Sequence, residues 1–199
     1  MLTDSPWAQD FTLQESGIQT RSLGESEDGR QFYIKYQMQF SSALPIRQAQ
    51  VRQAQITQNY DNLGPENRQQ FDQNAHSFLS SKFPDAIIVF VTYETNSQNA
   101  SRDLDRYWQS QTTDLLKNQV FLRNSRGNRA DLAQFSVHPN ERSFQFIFPR
   151  QINGEPLLGP EDISLMLHFT APKAGGLGGS NGYLEFKPEK MVFDGNLAY

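Results

Sequence analysis

The chain has 199 residues, 37% of them hydrophobic and 12% aromatic, with 15 Phe, enough bulky apolar surface for one ordinary core and too much for global disorder. A net charge of −4 repels phosphate backbones and anionic lipid surfaces, which sets nucleic acid aside as a partner. No cysteine is present, so disulfides, thiolate zinc sites, iron–sulfur clusters and cysteine nucleophiles are excluded together.

In chain order, Trp7 anchors a lead-in, and Phe11 and Leu13 begin an alternating strand that ends by Gly17. A polar, acidic connector around residues 24–29 follows. Phe32, Ile34, Tyr36 and Met38 then alternate with Gln31, Tyr33, Lys35, Gln37 and Gln39, a strand with one wet face. From Pro45 the period changes. Ile46, Ala49, Gln53, Ile56 and Tyr60 recur at helical spacing in a stretch rich in Gln, and after Gly64-Pro65 a second helix sets Phe71, Ala75, Phe78 and Leu79 on a buried face before Pro84. The two form a helical hairpin over about 45–82, inserted between strands.

Residues 86–93 read as a central strand covered on both sides, because Ile87-Ile88-Val89-Phe90-Val91 is apolar without alternation. Asn99 or Ser101 caps a third helix, about 100–117, whose shared face is Leu104, Trp108, Gln111 and Leu115. Short strands with turn signals fill the rest: 120–123, 130–137, 144–148, 163–169, 183–186 and 191–193, with turns at Gly127, Pro139-Asn140 and Asn153-Gly154. The expected fold is α+β: one domain over 1–199, an antiparallel immunoglobulin-like β-sandwich carrying inserted helices.

No motif reaches a named chemistry. The glycine-rich run from Gly175 to Gly182 lacks the following helix and lysine of a phosphate-binding loop and continues as a strand, so it reads as a hairpin loop, with a ligand lid as the alternative. His76, His138 and His168 make no metal signature, and neither a metal nor a cofactor is called for. His138 and Glu141 share a turn and are close enough in sequence for a hydrogen bond that would tune the imidazole. Asp103/Asp105 and Glu161/Asp162 are carboxylate pairs that need facing partners before they can do acid–base work. Lys117, Arg123, Arg126 and Arg129, with Phe121 between, form a basic strip suited to a protein partner.

Two segments, Leu2-Thr3-Asp4-Ser5-Pro6-Trp7-Ala8 and Leu184 to Met191, resemble the ends of a group of uncharacterised, predicted exported bacterial proteins. The resemblance covers about a tenth of the chain and transfers no catalytic residue. It implies a periplasmic or secreted setting, with the cytoplasm as the alternative. The reading is a non-enzymatic binding or protein-interaction module outside the cytoplasm, with His138, Glu141, Arg123, Arg126 and Arg129 as candidate ligand or partner contacts. The alternatives are a hydrolase-type enzyme whose acid–base site is assembled from His138, Glu141 and a distant Asp near the glycine-rich loop, and a structural subunit of an envelope assembly.

Overall fold

A computed structural model describes residues 5–14, 31–80, 83, 85–138 and 141–199. The acidic connector at 24–29, the helix stop at Pro84, the turn at Pro139-Asn140 and residues 2–4 of the resembling segment lie outside the described residues. The described residues form a mixed α and β structure with antiparallel sheets and four α-helices.

Alternation decides the first sheet. In β1 (Ala8–Gln14), β2 (Tyr33–Phe40) and β3 (Ala86–Thr95), every second side chain points inward, and Ile34, Tyr36, Met38, Phe40, Ile87, Val89, Val91 and Tyr93 are buried. β3 is the central strand, as expected, but only its inner face is dry, since Ile88, Phe90 and Thr92 remain half-buried. Between β2 and β3 run α1 (Leu44–Thr57) and α2 (Pro65–Ser80), and after β3 come α3 (Gln98–Ser110) and α4 (Thr113–Leu116). The remaining strands are β4 (Phe121–Asn124), β5 (Arg129–Asp131), β6 (Gln134–His138), β7 (Ser143–Pro149), β8 (Gln151–Ile152), β9 (Glu155–Pro156), β10 (Leu165–Thr170), β11 (Asn181–Phe186), β12 (Val192–Phe193) and β13 (Asn196–Leu197).

One sheet has the order β1-β2-β3-β7-β6 and the other β11-β10-β4-β5, with β8/β9 and β12/β13 as small hairpins. Their inward faces meet. Phe40 packs edge-on against Phe186 at 4.7 Å, while Tyr36 and Phe11 meet Phe169 at 5.4 and 5.2 Å. Phe40, Tyr36, Phe169 and Phe186 are fully buried, each contributing roughly 1.5–3 kcal/mol, while Phe11 is half-buried. Trp108, from α3, lies on the inner face of the five-stranded sheet, stacked on Phe144 at 4.0 Å, so α3 belongs to the same core through Ala100, Leu104 and Trp108.

The helices depart from expectation in three ways. Ser97 caps α3 by accepting from the Ala100 N–H at 3.3 Å, in place of Asn99 or Ser101. The helix expected over 100–117 is two: Gln111 turns extended, and Thr112 caps α4 through the Leu115 N–H. Local hydroxyls that bond backbone N–H groups stop one helix and start another, which helical periodicity alone does not register. The expected buried face of α2 is only half-covered, and the helix has no fully buried residue. It leans on α1 and is tethered by Arg47, whose Nη1 donates to the carbonyls of Phe78 (3.0 Å) and Leu79 (3.1 Å). Those are orphan carbonyls of the last turn. At the other end the Tyr60 hydroxyl donates to Asp72, and Tyr60 packs on Phe71 at 5.2 Å.

The glycine-rich stretch connects β10 to β11 as a hairpin loop. It docks on α3, where the Gly175 N–H donates to Asp103 Oδ2 at 3.4 Å. Gly178 has φ +93°, and a Cβ there would run into the Pro172 carbonyl oxygen, so the loop needs glycine at that position on two counts.

Candidate functional site

The residues alternating with the core make the outer face of the five-stranded sheet mostly polar over β1 and β2, with Asp10, Thr12, Lys35, Gln37 and Gln39, and mixed over β3 and β7, where Ile88, Phe90 and Ile147 stand among Thr92 and Gln145. Register places Asp10, Gln37 and Thr92 side by side across β1, β2 and β3, and Ala8, Gln39 and Phe90 in the adjacent row. The rows continue across β7 and β6, the first through Ser143 to His138 and the second through Gln145 to Ser136. Over β1 to β3 this platform has a wall. α1 faces it with Ile46, Ala49, Gln50, Gln53 and Ile56, leaving a cleft of about 500 Å³ between helix and sheet. That size lies within the ~300–1,000 Å³ typical of ligand sites.

The wall stands off because α1 is fastened at one end only. Ile46 and Arg47 are its buried residues, and towards the tip Ile56 is 62% exposed. The amides of Gln37, Gln39 and Gln50 and the hydroxyl of Thr92, all lining the cleft, bond no other described residue. Each amide offers both donors and an acceptor. The charged groups at the rim are already engaged: Asp10 Oδ2 lies 2.7 Å from Lys35 Nζ, and Arg52 Nη1 donates to Gln55 Oε1 at 3.1 Å. The Asp10 carboxylate raises the Lys35 pKa above its ordinary value.

The residues singled out from sequence are dispersed. His138 stands on the outer face with its ring 6.0 Å from Phe90, while the Glu141 carboxylate accepts from Ser143 Oγ at 3.4 Å; the link within the His138–Glu141 pair is the Glu141 N–H donating to the His138 carbonyl at 3.1 Å. His168 Nδ1 meets the Gln119 carbonyl at 3.0 Å, and His76 Nε2 lies 3.4 Å from Ser80 Oγ. Arg126 is bound up locally, its Nη1 2.8 Å from Glu161 and its Nη2 3.0 Å from the fully buried Asp162 carboxylate. Arg123 is exposed on β4. Asp105 accepts from the Tyr93 hydroxyl at 2.8 Å; burial first, and this bond second, push the Tyr93 pKa well above the ordinary phenol value. Among the described residues, no group of three His, Cys, Asp or Glu could hold a metal ion, and no helix is long and apolar enough to cross a membrane.

Arg129 has a context that sequence does not reveal. Its guanidinium sits 3.8 Å over the Phe121 ring, Phe121 stacks on His168 at 4.5 Å, and Tyr183 closes on His168 at 4.8 Å, a row across the outer face of the four-stranded sheet. His168 and Tyr183 join this row from strands far along the chain, so proximity in sequence could not find them. The cleft residues were missed for a different reason. Alternation marked Gln37 and Gln39 as wet, yet nothing local indicated that α1 would fold back over them. No protein family, no curated protein and no solved structure matches the chain.

Proposed function

We propose that the chain is a non-enzymatic binding module that works outside the cytoplasm and holds its ligand in the cleft between α1 and the outer face of β1, β2 and β3. The observation that carries this reading is the set of amide and hydroxyl side chains, Gln37, Gln39, Gln50 and Thr92, turned into one cleft without a partner among the described residues. Its ionisable members support binding over acid–base chemistry, since Asp10 is tied to Lys35 and Arg52 to Gln55. The fold belongs to the proposal as an immunoglobulin-like sandwich in the broad sense of two antiparallel sheets sharing one core, a reading supported by Phe40 on Phe186 and Tyr36 on Phe169. The periplasmic or secreted setting rests on the resemblance of Leu2 to Ala8 and Leu184 to Met191 to exported proteins.

The test fills the cleft. Immobilised wild type and Ala49→Trp are exposed to the source organism's envelope fraction, and retained material is stained for protein and for carbohydrate. Material held by the wild type and lost from Ala49→Trp, with an unchanged thermal midpoint, is the expected result. Identical retention by both proteins, or none by either, removes the reading.

A second reading, a protein-interaction surface, is favoured by the Arg129–Phe121–His168–Tyr183 row, in which Tyr183 is 60% exposed. Phe121→Ala and Tyr183→Ala should then release a protein partner that Ala49→Trp still retains.

A further inference from the structure

Resting on the cleft reading above, we propose that the ligand is a neutral glycan chain. The chemistry of the walls favours this class over the other common ones. A charged ligand needs an uncompensated opposite charge, and the cleft offers none on its floor, where the Asp10 carboxylate is held by Lys35 at 2.7 Å. The helix-side cation, Arg52, donates to the neutral Gln55 and so keeps its charge, but it stands exposed at the rim, where solvent and salt screen it and a single ion pair contributes little. An extended peptide added as a strand needs a free sheet edge. The floor is instead the face of paired strands, and the backbones of β2 and β3 are committed on both sides to the β1, β2, β3 and β7 ladders.

What the cleft does offer is a mixture that matches a sugar ring. Vicinal hydroxyls each donate and accept, and a side-chain amide is the group that answers both with one planar head. Three such amides, Gln37, Gln39 and Gln50, line the space with no other partner among the described residues, and Thr92 adds a hydroxyl. A pyranose also has an apolar C–H face. The half-buried ring of Phe90, in the same row as Gln39, supplies the complementary aromatic surface, and Ala8 and Ala49 keep that surface uncrowded. The row that holds Phe90 runs on past the helix through Gln145 to Ser136, both half-buried, so the polar track continues beyond the covered part there, whereas Ser143 in the neighbouring row is buried and bonds Glu141. A track longer than its roof suits a polymer better than a single small molecule.

Native affinity electrophoresis through gels containing dextran, galactomannan or hydroxyethylcellulose, with polygalacturonate as the anionic comparison, tests the assignment. Wild type should be retarded by at least one neutral polymer more than by polygalacturonate. Phe90→Ala and Gln39→Ala should weaken that retardation tenfold or more, and Glu161→Gln, on the remote β4–β5 side, should match wild type. Gln39→Ala changes a side chain on the outer face, so it stands as the test if Phe90→Ala fails to fold by circular dichroism. No retardation by any neutral polymer, or a preference for polygalacturonate, overturns the glycan. If Ala49→Trp abolishes retention of envelope material that proves to be peptide, the glycan falls and the cleft stands; if glycan binding survives Ala49→Trp, the cleft itself is wrong.

Discussion

Replacing Asp162 with Asn probes the polar anchor that fastens the segment before β10 to the β4–β5 turn. The carboxylate is fully buried and accepts four hydrogen bonds: from Ser125 Oγ (3.2 Å) and Arg126 Nε (3.1 Å) on Oδ1, and from Arg126 Nη2 (3.0 Å) and the Gly159 N–H (2.8 Å) on Oδ2. Asn keeps the shape but turns one acceptor oxygen into a donor, so one pair of these donors loses its acceptor and meets an N–H instead. Hydrogen bonds to a charged group contribute about 1.5–3 kcal/mol each. Arg126 Nη1 retains Glu161 at 2.8 Å, which recovers part of the loss. The net cost is therefore about 2–4 kcal/mol, which for a chain of this length lowers the thermal midpoint by about 4–16 °C. Denaturant unfolding with an unchanged m-value measures it. Glu161→Gln, at a half-exposed ion pair, should cost under about 0.5 kcal/mol. A loss below about 0.5 kcal/mol for Asp162→Asn would show that solvent, and not these four donors, satisfies the carboxylate.

Other parts of the molecule make sharper or opposite demands. The hydroxyl of Tyr36 and the indole N–H of Trp108 are both buried without a well-formed hydrogen bond, so Tyr36→Phe should be neutral or stabilising by up to about 1 kcal/mol, and a clear loss of stability in urea would show that the hydroxyl is satisfied after all. Burial pushes the pKa of Tyr36 far up against the opposing pull of the Trp108 N–H, and burial likewise raises Tyr93. Because the raised folded-state values favour the neutral phenols, stability is fully present below the unfolded phenol pKa of about 10 and declines above it by up to about 1.4 kcal/mol per pH unit for each. Absorbance titration should find these two among the 7 tyrosines ionising only as the protein unfolds, and smooth titration of all seven in a folded protein would contradict it. Gly178→Ala, which combines a positive φ with a clash on the Pro172 carbonyl, should cost at least about 1 kcal/mol, whereas Gly176→Ala, with positive φ and open space, should cost less; equal losses would locate the effect in φ alone. Arg47→Ala should speed amide exchange across α2 while β2 and β3 stay protected, since α2 has no fully buried residue of its own and borrows its C-terminal anchor from Arg47; uniform exchange in both would refute that tether.

Side-chain period alone determined the strands from Phe32 to Gln39 and from Phe144 to Phe148, because a sheet with one wet face has to alternate, and it determined the helical hairpin, because the apolar spacing changes between Pro45 and Leu79 with Gly64-Pro65 at the joint. It could not locate the break at Gln111-Thr112, which depends on one hydroxyl capturing one N–H, nor the shallow burial of α2, which depends on where the hairpin lands. The candidate site belongs wholly to tertiary structure. Asp10, Gln37, Gln50 and Thr92 lie on four separate elements, and each alone reads as a solvated polar residue. Strand register aligned three of them across β1, β2 and β3, and the packing of Ile46 swung α1 over the row. Local sequence carries the period of each element, whereas which wet face meets which helix is chosen by the burial of residues elsewhere, and that choice made a cleft from otherwise ordinary amides.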